Sequence, residues 1–66
     1  MLTDKELIKM YADFPKSRYA IYLVVDARNG AELGKYIRKQ NAFAHADREG
    51  CAVVIQIPKK RVDTNM

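Results

Sequence analysis

Seven consecutive residues, Tyr19-Ala20-Ile21-Tyr22-Leu23-Val24-Val25, are apolar at every position. A half-buried strand alternates apolar and polar side chains, so a run apolar on both parities predicts a strand covered on both faces. A buried helix is the rival reading, and length and β-branching favour the strand over residues 18–27. The chain has 66 residues in which to build two covers, which allows one small domain. Seven apolar residues are also far short of the roughly 20 that cross a bilayer, so no membrane partner is expected. Asp4, Lys5, Glu6 and Lys9 occupy the place where a signal peptide would need an apolar core, which points to the cytoplasm.

The first cover is a helix predicted over Thr3 to Phe14. Leu7, Met10, Tyr11 and Phe14 fall at i, i+3, i+4 and i+7. Thr3 and Glu6 fit a capping box, and Pro15 stops the helix. After the turn signal Arg28-Asn29-Gly30, with Asn29 as a helix cap, Leu33, Tyr36, Ile37, Phe43 and Ala44 suggest a second helix from Ala31 to Ala46. Gly34 costs it about 1 kcal/mol relative to Ala, a cost that close approach to a strand or partner could offset. Cys51 to Ile57 reads as a second strand ended by Pro58.

The fold class expected is therefore α+β with an α/β-like order: helix, strand, helix, strand. The crossover over residues 28–50 is long enough to set the two strands parallel. A two-stranded sheet leaves apolar edges and is marginal alone, so completion by a homodimer is expected. Residues 1–58 form the domain, and 59–66 form a basic tail expected to be flexible.

Charge carries most of what the sequence says about function. The formal net charge is +4. Residues 1–27 cancel, whereas Arg28, Lys35, Arg38 and Lys39 outweigh Glu32, and Lys59, Lys60 and Arg61 form a second basic cluster. Lys35, Arg38 and Lys39 would share one face of the predicted second helix, with Asn41 and Gln40 offering groups that can read base edges. A face of this kind suits DNA or RNA, because each Lys or Arg can neutralise a phosphate and release counterions. A solvated helix face needs charge as well, and a basic tail can serve only to keep an apolar strand soluble. The expected function is a small non-enzymatic regulator that binds nucleic acid as a dimer. The alternative is a protein-interaction module, an inhibitor or adaptor of the kind mobile elements encode, docking on an acidic protein partner or extending a sheet through a strand edge.

Glu32-Leu33-Gly34-Lys35-Tyr36, with the later Asn41, His45-Ala46 and Arg48, resembles the helix-turn-helix stretch of lambdoid Cro repressors. The likeness covers about a quarter of the chain and implies a dimeric operator-binding repressor whose recognition helix follows Gly34. Lys35 and Gln40 stand where that motif has buried aliphatic residues.

Catalysis is not expected. Asp26, His45, Glu49 and Cys51 are the acid, base or nucleophile candidates, and nothing in their spacing makes a nucleophile–base pair. Cys51 reads as a small buried apolar residue and His45 as a helix C-terminal one. One Cys and one His are too few for an all-protein zinc site, and no cofactor motif is present.

Overall fold

A computed structural model describes residues 1–60. The element order is α1 (Asp4–Met10), β1 (Ile21–Asp26), β2 (Glu32–Tyr36), α2 (Lys39–Glu49) and β3 (Ala52–Ile57). The α+β class holds, but the sheet has three strands in the order β2-β1-β3, all antiparallel. The two-stranded parallel unit expected from sequence is thus replaced. Residues 32–36 form a strand, so the long parallel crossover and the helix-turn-helix stretch do not form there.

β1 is the central strand and is covered on both faces, as its unbroken apolar composition requires. On one face Leu7 of α1 packs with Ile21, Leu23, Val25, Ile55 and Ile57, and Leu2, Tyr11 and Phe14 close the margin. On the other face Val24 packs against Ala42 and Ala46 of α2, with Tyr22, Tyr36 and Val54 beside them. Both helix residues that meet Val24 are alanines, so α2 can lie close to the sheet.

α1 begins with the predicted capping box. The Glu6 N–H donates to Thr3 Oγ1 at 3.3 Å, and the Thr3 N–H donates to Glu6 Oε1 at 3.1 Å. These bonds, the backbone one foremost, hold the Glu6 carboxyl below its ordinary range. The regular helix stops at Met10, four residues before Phe14. Beyond it, Tyr11, Ala12 and Phe14 donate to the carbonyls of Ile8, Lys9 and Tyr11, a tightened i→i−3 winding ahead of Pro15.

The turn joining β1 to β2 is built on Asp26. Its backbone carbonyl accepts from the Gly30 N–H at 2.7 Å, and its Oδ1 accepts from the Arg28 N–H at 2.8 Å. Gly30 adopts φ 76°, a left-handed conformation that a side chain would strain. Asn29 does cap a backbone N–H, that of Ala31, but the segment it introduces is a strand. A register shift between Val24 and Val25 leaves Leu33 bulged out of the β1–β2 ladder. Gly50, at φ 84°, ends α2 and donates to Ala46 O, turning the chain into β3.

Candidate functional site

The predicted basic helix face does not exist as one surface. Lys35 lies on β2, not on a helix, and its Nζ reaches over the Phe14 ring on the α1 side of the sheet. Lys39 opens α2 on the opposite side, with its Nζ over the Phe43 ring at 5.8 Å.

Topology nevertheless regathers most of these residues at one end of the sheet. β1 starts there, and β2 and β3 finish there, as the aligned row Tyr36, Tyr22 and Gln56 shows. Arg38 and Lys39 follow directly after β2, and Asn41 lies in the first turn of α2. Lys59 and Lys60 follow β3, and the Lys60 N–H donates to Ser17 O at 2.8 Å. That bond ties the start of the tail, expected to be flexible, against the segment that leads into β1. It also brings Lys16 and Arg18 to the same end. In sequence this pair only balances acidic residues within 1–27, so net charge gives no sign of it. Arg61 lies outside the described residues.

The same end carries the N-terminus of α2, where Arg38 is the N-cap and makes no side-chain cap bond. No acidic residue occupies the first turn, so the positive end of the helix dipole adds to the nearby cations. Among the described residues, no ion pair engages Lys16, Arg18, Lys35, Arg38, Lys39, Lys59 or Lys60. Tyr19 and Ile37 are exposed at this end, at 56% and 63%.

Arg28 is placed elsewhere. It lies at the far end of β1, where Nε and Nη2 donate to the two carboxylate oxygens of the buried Asp26 at 3.1 and 2.9 Å. These side-chain bonds are the main cause of an Asp26 carboxyl held below its ordinary range and an Arg28 guanidinium held above its own. Asp47 and Glu49 belong to this same end, near the last turn of α2.

Of the four acid–base candidates, His45 and Glu49 are in contact, whereas Asp26 is paired with Arg28. His45 is held between elements: Tyr36 Oη lies 2.9 Å from its Nδ1, and Glu49 Oε1 lies 3.2 Å from its Nε2. Both ring nitrogens are thereby occupied. Cys51 is exposed, not buried as expected, and Asp26 is taken by Arg28. Tyr36 could have been paired with His45 only once residues 32–36 were read as a strand. Among the described residues no group of three or more His, Cys, Asp or Glu could hold a metal ion, and no helix is long and apolar enough to cross a membrane.

Comparison with protein-family models, with curated proteins and with solved structures finds no match to this chain.

Proposed function

We propose that this protein is a small non-enzymatic regulator that binds nucleic acid through the basic end of its sheet. The observation that supports the reading most is the gathering of Lys16, Arg18, Arg38, Lys39, Lys59 and Lys60 from three separate chain segments at one end of the sheet, with Lys35 mid-strand on the α1 side. Like charges repel, and gathering them without carboxylate partners lowers fold stability unless a polyanion is bound. Phosphates accept from Lys, Arg and helix N-terminal N–H groups, and such contacts position a backbone without reading its sequence. Asn41 beside Arg38 offers amide groups to a base edge, and the exposed Tyr19 ring offers a stacking surface to an unpaired base.

Fluorescence anisotropy with labelled single-stranded and duplex oligonucleotides tests this. Affinity is expected to fall steeply with salt, with a log–log slope of about −0.9 per phosphate neutralised on duplex DNA and about −0.7 on single strands. Absent or salt-independent binding to DNA and RNA overturns the reading. A complex with an acidic protein that survives nuclease treatment would then favour the protein-interaction alternative.

A further inference from the structure

We infer that β3 is a self-pairing edge and that two copies of this chain join through it, antiparallel, into one six-stranded sheet. The hydrogen-bond pattern fixes which groups are available. Ala27 N donates to Cys51 O at 2.9 Å, so the pairs that continue this ladder, Val25 with Val53 and Leu23 with Ile55, face each other through their backbone polar groups. By alternation, Ala52, Val54 and Gln56 turn their N–H and C=O groups away from β1, to the open edge.

A second β3 fits this row without remainder. When Val54 of each copy faces its counterpart across a two-fold axis, Ala52 lies opposite Gln56 of the other copy on both sides. All three outward residues on each strand are then hydrogen-bonded.

The flanks of the edge are apolar on both faces. A groove of about 470 Å³ runs along it under α1, lined by Leu7, Ile8, Tyr11, Val53, Ile55 and Ile57. A second groove of about 390 Å³ lies on the α2 side against Phe43, Ala46 and Val54. Exposed edges are ordinarily guarded by charge, proline or a bulge. β2, the other edge, carries Glu32, Lys35 and a bulge at Leu33, whereas Ala52 to Ile57 has no charged residue and no proline.

Charge selects a second copy as the occupant. Leu2 N donates to Ala27 O and Lys60 N donates to Ser17 O, so the segment from Leu2 to Ser17 runs from the start of β3 to its finish. Asp4 lines the first groove and Asp47 the second, near the start of β3. Lys16, Lys59 and Lys60 stand near its finish. Lys5 and Arg48, which adjoin these two carboxylates in sequence, do not line the grooves, so antiparallel pairing sets Asp4 and Asp47 of each copy toward Lys16, Lys59 and Lys60 of the other.

Light scattering across a concentration series, without nucleic acid, tests the inference separately from the proposed function. The parent chain is expected at twice its 7.6 kDa mass. Gln56→Pro removes one outward N–H at an exposed position and should give a monomer with an unchanged far-ultraviolet spectrum. Two further variants serve should that chain fail to fold. Asp47→Lys, and separately Lys59→Glu with Lys60→Glu, should each raise the dimer dissociation constant at least tenfold. An equimolar mixture of the two should restore dimers, because both ends of the mixed pair then attract. A parent chain that is monomeric at hundreds of micromolar overturns the inference, as does a Gln56→Pro dimer or a mixture that stays monomeric.

Discussion

A Cβ placed on Gly34 would stand 2.8 Å from His45 Nδ1 and 3.0 Å from its Cε1. The glycine on β2 therefore supplies the space in which the imidazole lies against the sheet and meets Tyr36 Oη. Gly34→Ala forces the ring to move and costs about 1–3 kcal/mol of overpacking, offset by about 0.4–1 kcal/mol from a stiffer unfolded chain. The expected outcome is a net loss of about 1 kcal/mol in chemical denaturation, together with a shifted His45 ring resonance in NMR. An unchanged ring resonance would show that His45 does not rest on Gly34.

Leu23 is completely buried at the centre of the sheet, opposite Lys35 on one neighbour and Ile55 on the other. Leu23→Ala removes buried methyl groups and leaves a cavity, a change that costs about 2–5 kcal/mol. A domain of this size has about that much stability in total. Circular dichroism at 25 °C is expected to show the variant largely unfolded.

The turn between β1 and β2 has a pH signature. Because the folded Asp26 carboxyl is held below its ordinary range, its contribution is complete above the unfolded value near roughly 3.9 and is lost as pH falls through the lower folded value. Asp26→Asn should lower the melting temperature at pH 7. The gap to the parent chain should close in the acid region below about pH 4. A gap that persists at the lowest pH would mean that packing, not the carboxylate, accounts for the loss.

Position along the sheet separates two arginines that look equivalent in composition. Arg28→Ala should reduce thermal stability through the lost Asp26 pair and leave nucleic-acid affinity unchanged, since it lies at the opposite end from the proposed contact. Arg38→Ala with Lys39→Ala should lower the anisotropy-derived affinity and reduce the magnitude of the duplex salt slope by about 1.8, two phosphate contacts' worth. Equal effects from the two variants would point to net charge alone.

The sequence made some of this legible because certain signals are local. Thr3 and Glu6 sit three apart before an apolar stripe, and the Tyr19–Val25 run required two covers. The misreading of residues 32–36 has a physical origin. Leu33, Tyr36 and Ile37 fall at i, i+3 and i+4 by chance of a bulge, so a strand imitates a helical stripe. In the structure Gly34 and Tyr36 face α2 while Lys35 faces Phe14, the two-residue alternation of a strand. Asn29-Gly30 was the competing hairpin signal, and Gly34 was a second mark against a helix. The basic end could not be read from spacing, because the Lys60–Ser17 bond joins segments more than forty residues apart. The cations that the sequence sets on a single helix face are distributed in the structure over three strand ends and a helix start.

Cations unpaired among the described residues at one end of the sheet, against a far end where Asp47 and Glu49 outnumber Arg48 and Arg28 is paired with Asp26, give the molecule a charge asymmetry along its strands. A six-residue strand spans about 20 Å, whereas ions at physiological strength screen charges beyond about 8 Å. If the proposed polyanion contact holds, the whole field turns the protein before contact in dilute salt. At physiological ionic strength only the near end would sense such a target, and encounters would lose that guidance. Raising salt should slow association more than it hastens release.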